Sequence, residues 1–252
     1  MPTSPLCSND RLFSGVTNSS SVVPQNGGAL SYKSITPGVG RGSLGRAARL
    51  RAHTRALHGR LDELIMGYRP LQDRRRYKQF LDVQVFFLRH MEHVYADTRL
   101  NTLIRGLSGR SRLGLIEQDF IDLGLASEPP PPITQALSGA ESLGWLYVAE
   151  GSTLGAAVLI KQARALGFDA CFGARHLAGH SDARGLQWRQ FLAEFDVIVL
   201  SDTQEREAEQ GAANAFRFVR DRATAIFNQD PDTGSKAQFR RPSPVRQGNV
   251  NV

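Results

Sequence analysis

The sequence predicts an all-α fold, and three observations carry that prediction. Apolar residues recur at helical spacing over long stretches, no segment alternates apolar and polar residues as a half-buried strand would, and glycines and prolines fall at the ends of the periodic runs. At 252 residues and 41% hydrophobic composition, the chain can build one substantial core.

Residues 1–43 are rich in Ser, Gly, Asn and Pro. Their short apolar fragments, Leu12-Phe13 and Val22-Val23, follow no period, so the segment reads as a disordered extension. Leu50, Leu57, Leu61, Leu64 and Ile65 then form one helical stripe. Phe80, Val83, Phe87, Met91, Val94 and Tyr95 form a second on a longer helix. Arg110 to Leu123 is a shorter helix ending around Gly124, and Pro129 to Pro132 make a stiff break. The next helix begins near Ser138, runs to about Leu166 and stops at Gly167. Residues 185–200 and 203–228 supply the last two helices. From Asp230 to Val252 the chain reads as a second disordered tail, which leaves 44–229 as the one domain.

The formal net charge of +7 makes nucleic acid a partner to consider, but no nucleic-acid motif accompanies it. Arginines at 41, 46, 49, 51, 55, 74, 75 and 76 could equally hold an anionic small molecule or a redox partner. Cys7 in the tail-like segment and Cys171 near a loop give no disulfide framework, no zinc spacing and no nucleophile with its base. A reducing cytoplasm fits that usage. Neither a signal peptide nor an uninterrupted membrane-spanning apolar run is read.

Two short stretches carry chemistry. His58 adjoins Leu57 on the face of Leu61 and Ile65, whereas His53, about 140° around the helix axis, falls toward Arg49, Arg60 and solvent. An inward histidine can ligate a metal axially, and Asp62 one turn later can bond the other ring nitrogen and fix the tautomer. A half-buried histidine bonded to a neighbouring carboxylate is the alternative. Gly151 and Gly155, with Ser152 between them, leave a bare backbone strip that a flat cofactor can approach closely. Each glycine costs a helix interior about 1 kcal/mol relative to alanine, so some close approach must offset both. Helix-on-helix packing through Gly155, Ala156 and Ala157 is the alternative there. Together the two stretches suggest a haem between two helices. His90 and His93 read as a polar helix face, because the paired Glu-x-x-His pattern of a di-iron bundle is absent.

Leu50-Arg51-Ala52-His53-Thr54-Arg55-Ala56-Leu57-His58, the string from Leu143 to Ala157, and Phe172-Gly173-Ala174-Arg175-His176-Leu177 together resemble the bacterial haem oxygenases. The resemblance spans roughly residues 44 to 228. It is nearest the branch holding pseudomonad iron-acquisition enzymes and those that supply biliverdin to bacteriophytochromes. It implies haem b, as both substrate and cofactor, between a proximal helix carrying His58 and a distal helix kinked at Gly151 to Gly155. Haem, O2 and electrons would give biliverdin, CO and ferrous iron, with the electrons from a separate reductase or ferredoxin and a bacteriophytochrome as a possible acceptor of the product. A cytoplasmic protein without nucleic-acid or membrane partners is expected. A neutral histidine gives less push toward O–O cleavage than a thiolate, and a glycine backbone carries no acid side chain, so oxidation can fall on a porphyrin meso carbon.

Mammalian-type members have aspartate where this chain has Ser152, which leaves the organiser of the distal water open. Asp62 stands where many members have glutamate, and its shorter arm suggests a bridging water. Arg51 and Arg55 are the first choices for anchoring the haem propionates, with Arg217 and Arg220 second; each could instead be a solvated surface residue. Phe216 would form a pocket wall, and Tyr147 would bond a propionate or ordered water. In the resemblance, a basic residue at Arg51 and a tyrosine at Tyr147 accompany cleavage at the α-meso carbon. Members with a rotated haem have asparagine and phenylalanine there, and lysines at the positions of Met66 and Gln162. Biliverdin IXα is therefore the expected isomer. Two readings compete: a relative that binds haem without cleaving it, and an all-α protein-interaction module.

Overall fold

A computed structural model describes residues 45–127, 137, 139–178 and 184–229. The expectations for 1–43, Pro129 to Pro132, the start at Ser138 and 230–252 lie outside the described residues. Eight α-helices follow in order: α1 (Arg46–Tyr68), α2 (Arg74–Tyr95), α3 (Thr98–Leu103), α4 (Leu113–Asp122), α5 (Gly139–Ala163), α6 (Arg175–Ala178), α7 (Arg184–Phe195) and α8 (Asp202–Phe227). No strand occurs among the described residues, so the predicted fold class holds.

The helix ends follow local chemistry. Asp73 caps α2 by accepting from the Arg76 amide, Asp97 caps α3, and Ser201 with Gln204 forms a reciprocal capping box on α8. The first turn of α1 has no cap from its own chain neighbours. Asp196, from the turn after α7, accepts from the Ala47 amide at 2.8 Å instead. Arg69 in the left-handed conformation ends α1 just before Pro70, and Gly167 at φ +81° ends the turn of 3-10 helix that follows α5.

The sequence reading carries the helix after residue 185 to residue 200, but α7 stops at Phe195. Buried Arg46 of α1 explains the stop, because it donates to the carbonyls of Phe195 and Ile198 and pairs with Glu205 at 3.0 Å. Carbonyls turned toward a guanidinium cannot continue a helical ladder. The short α3 and α6 have too few residues to show a period.

The long helices α5 and α8 cross at the centre of the molecule. A Cβ added at Gly144 would lie 2.0 Å from the Ala208 carbonyl oxygen, and one at Gly211 would lie 2.2 Å from that of Glu141. Only glycine permits so close a crossing. Gly139–Leu166 is long and apolar enough to cross a membrane by length and composition alone, and it is the helix that packs along α8 in the core.

One core cluster joins α1, α2, α5, α7 and α8 around Leu50, Phe87, Leu143, Phe191 and Phe216. A second lies under α4 and α6 around Tyr77, Phe80, Ile116 and Phe168. Cys171 lies in the turn before α6, where its amide donates to Asp169 Oδ1 at 2.8 Å.

His90 and His93 correct another expectation. They do not form a polar face but sit half-buried, with His90 4.7 Å from the rings of both Trp145 and Phe218. His93 Nε2 accepts from the Leu137 amide at 3.1 Å. Burial holds both imidazoles below the usual histidine range. The unfolded chain takes up protons near pH 6.5 that these folded histidines refuse, so their contribution is full above that pH and lost as pH falls below it. Denaturant unfolding at pH 7.5 and 5.5 should show lower stability in acid, and the His90→Gln/His93→Gln double variant should show a flatter dependence. Equal slopes for the two proteins would contradict this.

Candidate active site

Helices α1 and α5 both pack on α8 but make little contact with each other, which leaves a gap between them over α8. On its α1 side the His58 ring stands edge-on to Phe216 of α8, with centroids 5.5 Å apart. His58 Nδ1 lies 2.7 Å from Asp62 Oδ2. The bond is direct, so the shorter aspartate arm needs no bridging water. A neutral ring donating from Nδ1 leaves its lone pair on Nε2, and the His58 side chain is 60% exposed. His53 is also exposed, without the aromatic contact. Among the described residues no group of three or more His, Cys, Asp or Glu could hold a bare metal ion. A metal at His58 must therefore arrive with its other ligands.

Gly151, Leu154, Gly155 and Val158 share one face of α5. A Cβ at Gly155 would meet nothing within 4 Å, so helix packing does not account for that glycine. Leu154 and Val158 are exposed, as is Met66 on α1, which leaves large apolar side chains in water. Gly151 differs, because a Cβ there would sit 3.6 Å from the Trp188 ring.

Behind this face lies a polar layer that the sequence did not reveal. Ser152 Oγ donates to the Ala149 carbonyl at 2.7 Å and accepts from Arg112 at 2.8 Å, and Thr153 Oγ1 donates to the Glu150 carbonyl. Both hydroxyls bond back into the preceding turn, and α5 runs as helix without interruption from Gly139 to Ala163. Buried Glu150 accepts from the Tyr95 hydroxyl at 2.9 Å and from Arg110 at 3.0 Å. Burial pushes the Glu150 carboxyl up, against the pull of Arg110. Farther back, His176 and Asp119 form a fully buried pair, Nδ1 to Oδ2 at 2.6 Å, and Asp119 also accepts the amides of Arg175 and His176. Burial lowers the His176 pKa. These partners come from four separated segments, and no spacing within one helix signals such a network.

The candidate anions' partners divide. Arg51 and Arg55 are exposed, and Arg51 lies close enough to Tyr147 to stabilise its phenolate. Burial raises the Tyr147 pKa. Arg217 bonds Asn214 at 3.1 Å, while Arg220 is engaged by its neighbour Asp221 at 2.6 Å and is the less available of the two.

The haem oxygenase family model matches residues 131–223. The chain is 40% identical over 187 residues to haem oxygenase PigA of Pseudomonas aeruginosa, covering 72% of this chain and 93% of that protein. Among solved structures, the haem oxygenase of Neisseria meningitidis, determined with NO and CO bound, is similar with a TM-score of 0.71 and 38% identity, covering 75% of this chain and 96% of that one. Identity at this level, running through nearly the whole of both relatives, goes with the same all-helical architecture, and the chain belongs to the bacterial haem oxygenase family of oxidoreductases.

Proposed function

We propose that this protein cleaves haem b with O2 and externally supplied electrons to biliverdin IXα, CO and ferrous iron. The observation that carries the proposal is an accessible His58 bonded through Nδ1 to Asp62, on a helix that packs on α8 as does the helix whose Gly155 opens to space. His58 Nε2 ligates the iron, Asp62 holds the ring, and Phe216 walls the pocket beside it. Gly151 and Gly155 present only backbone to the far side of the haem, leaving room for O2 and no acid side chain to force O–O cleavage. Ser152 is bonded to Arg112 and to its own helix, so it orders the distal backbone rather than donating a free proton. Arg51, Arg55 and Arg217 hold the propionates, with Arg220 in a lesser part, and Tyr147 bonds a propionate or ordered water beside Arg51. Residues 44–229 form the catalytic unit. A separate reductase or ferredoxin supplies the electrons in a cytoplasmic reaction that serves either a bacteriophytochrome, as acceptor of the biliverdin, or the release of iron.

The isomer follows from haem orientation. Arg51 and Tyr147 lie near one another, whereas the lysines of a rotated orientation are replaced by Met66 and Gln162. Chromatography of the product against isomer standards should give IXα, and a dominant β or δ isomer would refute this orientation.

The distal strip is tested by Gly155→Leu. The helix tolerates leucine, but the side chain enters the space for O2, so turnover should fall at least about tenfold while haem affinity changes less. Unchanged turnover would refute the ligand-facing role of Gly155.

A further inference from the structure

Helix α7 presents a row of rings to α5. Trp188 stacks on Phe191 at 5.5 Å, and Phe191 on Phe195 at 5.1 Å. Tyr147 leans on both ends of the row, 5.6 Å from Trp188 and 6.1 Å from Phe195. One turn later on α5, a Cβ at Gly151 would meet Cη2 of the same indole at 3.6 Å and Cζ3 at 3.9 Å. A single side chain thus lies beside the Tyr147 ring and just beyond the place a Gly151 side chain would take.

Both ends of α7 are fastened. Arg46 donates to the Phe195 carbonyl and lies 5.3 Å over the Phe195 ring. At the other end Arg184 donates to the carbonyls of Leu177 and Ala178. Arg110 donates both to the Gln187 carbonyl at 3.4 Å and to Glu150 at 3.0 Å, tying the turn that carries Trp188 to the residue before Gly151.

We propose that Trp188 is a positioning residue: through Tyr147 and the Gly151 backbone it fixes the orientation of bound haem, and with it the biliverdin isomer. This rests on the haem-cleaving reading above. A glycine strip has no side chain of its own to lock it, so its place is set by what stands behind it. The Tyr147 hydroxyl makes no hydrogen bond to a described residue, so its place is set by the two rings that flank it. Removing the indole frees both groups together.

The test compares wild type, Trp188→Phe and Trp188→Ala in the full chain, with Trp188→Leu replacing alanine if that variant does not fold. Wild type should give one isomer. Trp188→Ala should shift the isomer ratio at least about tenfold, about 1.4 kcal/mol between haem orientations, and Trp188→Phe should restore most of the preference. A second readout needs no turnover. In haem-free protein labelled at tyrosine Cζ, the Tyr147 phenol should titrate above the usual range in wild type, and closer to about 10 once Trp188→Ala admits water. A folded Trp188→Ala protein with an unchanged isomer ratio, or an unchanged Tyr147 titration, overturns the proposal while the active wild type leaves the haem-cleaving reading standing. A wild type that makes no biliverdin overturns both.

Discussion

His58→Ala should lower haem turnover at least about a hundredfold, equivalent to about 2.7 kcal/mol of transition-state stabilisation, while His53→Ala leaves it near wild type. The two histidines sit on one helix, yet only His58 has the Asp62 bond and the Phe216 contact, and His53 faces solvent. Alanine at 58 would remove the proposed iron ligand and leave Asp62 without its imidazole, and among the described residues no group of three or more His, Cys, Asp or Glu could take its place. Spectra of the ferric haem complexes decide the point. The His53 variant should keep a histidine-ligated spectrum and the His58 variant should lose it. Retention of that spectrum by both would require another ligand and end this assignment.

Gly144→Ala should be the most damaging small substitution for the fold. The added methyl would lie 2.0 Å from the Ala208 carbonyl oxygen and 2.4 Å from the Ala212 nitrogen. Both are backbone atoms of α8, so relief requires the two central helices to separate rather than a side chain to move. A cost of about 3 kcal/mol or more follows, equivalent to a fall in Tm of roughly 6–12 °C for a domain of this size. Gly59→Ala is the matching control. Its Cβ would meet nothing within 4 Å, and alanine is favoured over glycine in a helix interior by up to about 1 kcal/mol. Its Tm should hold or rise. Thermal unfolding of the haem-free proteins separates the two, and equal Tm values for both variants would contradict the close-crossing account of α5 and α8.

The parts legible in the sequence were those with a local signature. The apolar stripes located the long helices, and Gly124 and Gly167 marked their stops. Gly151 and Gly155 stand out as a pair, whereas Gly144 and Gly211, which leave the least room for a Cβ among the described glycines, lie 67 residues apart on different helices and leave no pattern. The same holds for the polar layer. Arg112 reaches Ser152 across 40 residues and His176 reaches Asp119 across 57, so each pairing exists only after the helices pack. His90 and His93 escape a sequence reading for the complementary reason. Their spacing is that of any helix face, and only Trp145 and Phe218 on other helices make it an aromatic pocket.

The central claim, that this gap both binds haem and consumes it, is tested most directly by reconstituting the full chain with haem, adding a reductant under air, and following the haem absorption band together with the released CO and the pigment. The account predicts that the haem band decays, that about one CO is trapped per haem lost, and that biliverdin is the pigment recovered. A haem complex whose band persists under the same conditions, with no CO and no biliverdin, would contradict it.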